Sequence, residues 1–181
     1  MTHKPAPGSL EVLREYLNTW SIPNDTRKPA EAIRTQQDLT DFLDQQPLLK
    51  DLQGNVEEFK AFREDVRKSI ETQEIDVLSP WMQYHPLYTV FVKEERAAKI
   101  MFKPEDEDKF VGIFLAIIAE VVSKGQWNRL KSCPDCRYVF YDHSKNGSKK
   151  WCSMYAGGSN GRACGTIDKV KRYRSRNQIS T

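Results

Sequence analysis

The stretch Cys133-Pro134-Asp135-Cys136-Arg137-Tyr138-Val139-Phe140-Tyr141-Asp142 decides how the C-terminal third of this chain is built. Two cysteines two residues apart sit on a tight turn, so their thiolates can converge on one ion. The run that follows alternates aromatic and β-branched residues and reads as a strand. Asp142-His143-Ser144-Lys145-Asn146-Gly147-Ser148 are turn formers, and Lys149-Lys150-Trp151 lead into Cys152. The segment therefore reads as a hairpin that returns a third cysteine to the first two. Cys164, the fourth, precedes an expected helix over residues 167–176.

The spacing is Cys133-x2-Cys136-x15-Cys152-x11-Cys164, and the preceding 132 residues contain no cysteine. Two disulfides would suit an oxidising compartment. In a reducing cytosol, clustered thiols more often bind metal. Four thiolates complete the tetrahedral shell of one structural Zn²⁺, whereas a catalytic zinc keeps a position open. A redox Cys-x-x-Cys would open a helix after a strand, which this one does not, and would leave two cysteines unexplained. His143 reads as a turn residue. Tyr138, Phe140, Trp151, Ile167, Val170 and Tyr173 supply nearly all the apolar volume of so small a module, so a metal is expected to be needed for folding. Its loss is expected to leave the N-terminal core largely intact.

Charge divides the chain unevenly. Residues 128–181 carry twelve Lys/Arg against three Asp/Glu, a net of +9, and residues 1–127 carry a net of −6. Zinc and four thiolates would bring the tail to about +7. Lys169, Arg172 and Arg176 share one face of the last helix, and Lys171 and Arg174 flank them. Lys145, Lys149 and Lys150 add a cationic hairpin, and Arg129, Lys131, Arg137 and Arg162 add to the field. Such a cluster fits a phosphate backbone. The candidate nucleic-acid contacts are Lys145, Lys149, Lys150, Arg162, Lys169, Lys171, Arg172, Arg174 and Arg176.

Upstream, residues 9–20 carry Leu10, Leu13, Leu17 and Trp20 at helical spacing, with Ser9 as N-cap. Residues 22–30 read as a loop. Thr35 and Asp38 form a capping box for a second helix carrying Leu39, Phe42 and Leu43. Residues 55–72 form a third helix with Val56, Phe59, Phe62, Val66 and Ile70 on one face. Residues 75–86 read as irregular, and residues 87–92 and 97–102 as a β-hairpin. Glu105-Asp106-Glu107-Asp108 then complement the N-terminus of an apolar helix that Gly125 ends. The fold class expected is α+β: a mainly helical domain with a β-hairpin over residues 1–126, then a small zinc-ribbon-like module over residues 127–178 that ends in a basic helix.

The quoted residues resemble the CGNR zinc-finger family of bacterial proteins. The likeness runs through Trp127-Asn128-Arg129-Leu130-Lys131-Ser132-Cys133, Cys136, Val139-Phe140-Tyr141-Asp142-His143-Ser144-Lys145-Asn146, Trp151-Cys152-Ser153-Met154, Cys164-Gly165 and Lys169-Val170-Lys171-Arg172-Tyr173-Arg174-Ser175-Arg176. Tyr16-Leu17-Asn18-Thr19 and Gln37-Asp38-Leu39-Thr40-Asp41-Phe42-Leu43 resemble the ABATE domain that accompanies it. The resemblance implies one zinc ion on the four cysteines and DNA binding by a stress-induced transcription regulator. The sequence departs from the family's naming motif, with Cys164-Gly165-Thr166-Ile167 in place of Cys-Gly-Asn-Arg, and has a longer Gly-rich loop around residues 157–162. The work of the missing Asn and Arg is then vacant or passed to Arg162.

The partners expected are nucleic acid, DNA ahead of RNA, and a small-molecule effector of the first domain. A second copy of the chain, giving a homodimer, is a further candidate. RNA binding would use Tyr138, Tyr141 and Tyr155 as stacking platforms. A protein–protein adaptor, with the acidic domain covering the basic face, is the rival reading. No paired-carboxylate, Ser/His/Asp or phosphate-loop motif is present, so no enzyme is expected, and His85 reads as a loop residue. No apolar run reaches the ~20 residues of a membrane span. The start has no apolar signal-peptide core, so the expected location is the bacterial cytoplasm.

Overall fold

A computed structural model describes residues 4–93, 95, 97–154 and 163–178, with side chains of the last helix to Ser175. The fold is α+β, with six helices and three antiparallel strand pairs among the described residues. Helix α1, Leu10–Leu17, buries Leu10, Leu13, Tyr16 and Leu17. It stops short of Trp20, which instead starts β1, Trp20–Ser21, paired with β2, Ala30–Glu31. Ser9 precedes α1 with helical backbone angles and makes no side-chain cap, contrary to expectation.

Helix α2, Gln36–Gln45, opens on the expected capping box. The Asp38 amide donates to Thr35 Oγ1 at 3.1 Å and the Thr35 amide to Asp38 Oδ2 at 2.9 Å, so two otherwise orphaned donors are satisfied. Helix α3, Val56–Thr72, begins at Asn55, whose Oδ1 accepts from the Glu58 amide at 2.8 Å. Its predicted apolar face is buried, and Arg63 and Arg67 are buried with it.

Residues 75–84, expected to be irregular, form a 3₁₀ turn and helix α4, Ser79–Tyr84. Pro80 lies in the first turn, where a missing N–H costs nothing. Strands β3, Leu87–Lys93, and β4, Ala98–Pro104, make the expected hairpin in unbroken seven-residue register. Helix α5, Phe110–Ser123, runs through the centre and ends at Gly125, whose φ of +64° favours glycine. The acids at 105–108 lie ahead of it and none is in its first turn, because Lys109 occupies the cap.

One hydrophobic core joins α1, α2, α3 and α5 around Tyr16, Phe59, Phe62 and Phe114, and the Tyr16 hydroxyl donates to the Phe59 carbonyl at 2.7 Å. The same core takes in Trp127, Leu130 and Val139, so the C-terminal strands are seated in it. These are β5, Leu130–Ser132, and β6, Val139–Tyr141, an antiparallel pair. The last helix, α6, is Cys164–Gln178. Among the described residues no helix is long and apolar enough to cross a membrane.

Candidate metal centre

The first two cysteines ride on a knuckle between β5 and β6. The Arg137 amide donates to the Cys133 carbonyl at 2.8 Å and the Cys133 amide to the Tyr138 carbonyl at 2.9 Å. To close so tight a turn Arg137 takes a φ of 60°, a left-handed conformation uncommon for a residue with a Cβ. Cys152 arrives from the loop after β6. Cys164 is the first residue of α6, so the helix starts three residues earlier than the spacing predicts. Gly165 follows because Met154 and Trp151 press on its Cα where a side chain would stand.

All four cysteines are buried, and their sulfur atoms lie within 4.8 Å of one another. Cys136 Sγ is 3.5 Å from Cys152 Sγ, which is 3.7 Å from Cys164 Sγ. These distances are far beyond a disulfide at ~2.05 Å. They are close to the ~3.8 Å edge of a tetrahedron with sulfur ~2.3 Å from a central zinc. Charge points the same way. Thiols donated by Cys136 and Cys152 pull the Cys133 ionisation down. Cys152 is pushed far up by its sulfur neighbours, and Cys164 by burial and then by those thiolates. Four negative charges do not coexist here without a cation to compensate them. The donor set fits one metal ion, with all four positions supplied by protein. Phe140 is buried beside the sulfurs, and Tyr138 and Trp151 pack on them.

The basic side chains divide by role. Arg129, Lys131 and Arg137, expected to add to the external field, are structural. Arg129 donates to the carbonyls of Asp142, Ser144 and Lys145. Lys131 donates to Asp142 Oδ2 at 2.7 Å and to the Gly147 and Lys149 carbonyls. Arg137 pairs with Glu71. Arg129 and Lys131 thus hold the loop of residues 142–149, and Arg137 docks the knuckle on α3.

Lys145, Lys149, Lys150, Lys169, Lys171, Arg172 and Arg174 are exposed or nearly so. Lys171 lies 3.7 Å from Asp135, and Arg172 pairs with Asp168 at 2.8 Å while lying over the Trp151 ring. Among the described residues, no carboxylate of the first domain pairs with any of these seven. The ion pairs by which the rival adaptor reading would cover the basic face are therefore not seen among the described residues. Arg162 lies outside the described residues, as do Tyr155 and the Arg176 side chain.

The apolar side of α6 differs from expectation. Val170 is 43% exposed and Tyr173 67% exposed. The module's interior is already filled by thiols, Phe140 and Trp151, so nothing apolar remains to receive a second turn. From Lys169 to Ser175 every residue of the helix is exposed. A surface groove of about 730 Å³ runs between the end of α3 and the module, lined by Glu71, Asn128, Lys131, Arg137, Lys149 and Lys150 among others. A smaller recess of about 360 Å³ lies in the first domain beside Tyr84, His85, Pro104 and Lys109. His85 faces Glu58 at 3.6 Å and stacks on Trp81.

Sequence reasoning did not find the residues that clamp the knuckle to the helices. Arg67, beneath which Trp20 lies at 4.7 Å, donates to the carbonyls of Leu17 and Arg137, each at 2.6 Å. Arg14 donates to the Tyr138 hydroxyl, and Arg27 to the Asp135 carbonyl at 2.7 Å. His143 is a structural residue, with Nε2 2.9 Å from the Pro5 carbonyl. A signal existed for one of the clamps: Arg67, like Arg63, stands within the apolar stripe of α3, where a charge needs a buried partner.

Compared with known families, residues 129–177 match the model of the CGNR zinc finger. The match is confined to the C-terminal module and gives its four-cysteine cluster the character of a zinc-finger centre. No curated protein and no solved structure matches the chain.

Proposed function

We propose that this chain is a transcription regulator whose zinc module docks on duplex DNA through α6, with Cys133, Cys136, Cys152 and Cys164 holding one structural zinc ion. A closed four-thiolate shell supplies a crosslink rather than a reactive position. The single observation that carries the docking is the exposure of α6. From Lys169 to Ser175 every residue of the helix is exposed, with Lys169 and Arg174 in no ion pair among the described residues and Val170 and Tyr173 open between them. A helix of about this diameter fits the major groove of B-DNA. Its cations would neutralise phosphates, while Tyr173 and Val170 are placed to meet bases. Lys145, Lys149 and Lys150 extend the cationic surface along the loop that follows β6.

RNA stacking has less support. Tyr138 is packed on the cysteine cluster with its hydroxyl engaged, and Tyr141 packs on the core and against His143. A small-molecule effector of the first domain would enter the recess beside Tyr84 and His85. The test is a salt titration of duplex binding by the full chain. Binding is expected to weaken steeply with salt. The double variant Lys169→Ala/Arg174→Ala should lower the slope of log K against log salt by about 2 and weaken all sequences alike. No binding at low salt, or an unchanged slope, overturns the proposal. Tighter competition by single-stranded RNA than by duplex DNA overturns the choice of DNA.

A further inference from the structure

The hairpin β3–β4 carries apolar residues on both of its faces. Register places Leu87, Phe91, Ile100 and Phe102 on one side and Tyr88, Val90, Val92 and Met101 on the other. A two-stranded sheet that meets one helix layer needs only one apolar face, and two are expected of a strand pair inside a larger sheet. The base meets that need, since Leu87 packs on the core and Pro104 is buried. The outer part does not. Phe91 is 80% exposed, Ile100 is 52% exposed, and Tyr84, which leads into β3, is 82% exposed.

The two edges are also unlike. Strand β4 packs along α5 and carries Lys99 and Lys103. Strand β3 reads Leu87-Tyr88-Thr89-Val90-Phe91-Val92 before its first charge, Lys93. Among the described residues β3 pairs only with β4, so its outer N–H and C=O groups face away from any strand. An uncharged, regular edge of this length is what folded monomers avoid.

We infer that β3 is the dimerisation edge of this protein. Two copies join β3 to β3 about a two-fold axis at Val90, giving one antiparallel sheet of order β4-β3-β3-β4. The strand is self-complementary in that register. Tyr88 of one copy faces Val92 of the second, and Phe91 faces Thr89, so aromatic side chains meet β-branched ones and no like charges oppose. The same operation on β4 about Met101 would set Lys99 against Lys103, which disfavours that edge. The axis also brings the Phe91 tip of one hairpin to the Leu87 base of the other, which covers the most exposed side chain. On β3 itself Phe91 and Tyr88 leave on the order of 250 Å² of side chain open, at ~150–250 Å² for a whole aromatic side chain. With the strand's backbone added, the surface stays below the ~800 Å² per partner of a standard interface, so the dimer is expected to be concentration-dependent. This inference is independent of DNA binding.

Sedimentation equilibrium of the full chain over a wide concentration range tests it, with variants Phe91→Lys and Ile100→Lys. Both side chains are exposed, directly opposed in register and on the same face. The wild type is expected to dimerise. Phe91→Lys, which breaks two symmetry-related pairs, should weaken the dimer roughly tenfold or more, while Ile100→Lys leaves it near wild type. A monomeric wild type, an unaffected Phe91→Lys dimer, or equal weakening by both variants overturns edge pairing, the last indicating stacked faces. Hydrogen exchange on the wild type gives a reading that does not depend on variants folding. The outward amides of β3 should slow as concentration rises, and exchange independent of concentration counts against the dimer.

Discussion

The carboxamide of Asn18 pairs with the backbone of Val139 as a neighbouring strand would. Its Nδ2 donates to the Val139 carbonyl at 2.9 Å, and the Val139 amide donates to its Oδ1 at 2.8 Å. The residues are 121 positions apart, and Val139 is fully buried. Asn18 sits at the C-cap of α1, where its Nδ2 also donates to the Arg14 carbonyl at 2.9 Å. One side chain thus ends a helix and fixes the strand that follows the metal knuckle.

Replacing Asn18 by Ala should cost about 2–4 kcal/mol, since two buried backbone groups lose their partner. Asn18→Asp keeps the acceptor but sets a carboxylate oxygen against the Val139 carbonyl, so it should be no better than Ala. Urea melts of the zinc-loaded proteins check both. A loss below about 0.5 kcal/mol, typical of a surface substitution, would show that the pairing is dispensable.

Changing any one of the four cysteines to Ser should release zinc, measured by metal content after desalting. Its consequence reaches further than a separate tail would imply. Trp127, Leu130 and Val139 belong to the main core, and the knuckle is tied to α1 and α3 by Asn18, Arg14 and Arg67. Loss of the metal should therefore lower the melting temperature of the whole chain, read by near-UV signals from Tyr16 and Trp81 as well as from Trp151. A first domain that melts at the wild-type temperature in the Ser variants would mean that the interface carries little coupling.

What the sequence made legible was local. The Thr35–Asp38 box, the buried stripe of α3 from Val56 to Ile70, the apolar α5 and the cysteine spacing all follow from rules that act within a few residues. Contacts such as Asn18 to Val139 have no local signature, because they join segments that meet only after folding. Periodicity also assumes a surface to receive each apolar face. Val170 and Tyr173 have the right spacing for burial but meet no such surface, since Phe140 and Trp151 already fill the module. Within residues 75–86, read as irregular, Pro80 has a fixed φ that suits the first turn of α4.

Arg67 supplies a test of coupling between the helices and the metal knuckle. It is buried, it donates to two backbone carbonyls, and burial lowers its pKa to about 10. Its planar fork reaches the end of α1 and the Arg137 carbonyl together, a geometry that a single ammonium reproduces poorly. Arg67→Lys should cost about 1–3 kcal/mol and lower zinc affinity in a chelator competition. Unchanged zinc affinity in a destabilised variant would restrict Arg67 to a packing role.

Asp142 is the acid-sensitive point of the module. It is fully buried, accepting from Lys131 Nζ at 2.7 Å and from the Ser144 and Lys149 amides, each at 2.8 Å. Burial alone would raise its pKa, but Lys131 and the Ser144 and Lys149 donors outweigh it and hold the carboxyl well below the usual range. The folded value lies below the unfolded one, so the stabilisation is complete above the unfolded carboxylate value of about 4 and is lost as pH falls from there through the folded value. Asp142→Asn should cost about 2–4 kcal/mol at neutral pH, because Lys131 loses its charge partner and one amide loses an acceptor. The gap between wild type and variant should then narrow on acidification below about pH 4. Metal release at low pH affects both proteins, so the difference between their urea midpoints is the quantity to follow. A gap that stays constant from neutral pH to pH ~3 would place the acid sensitivity in other carboxylates.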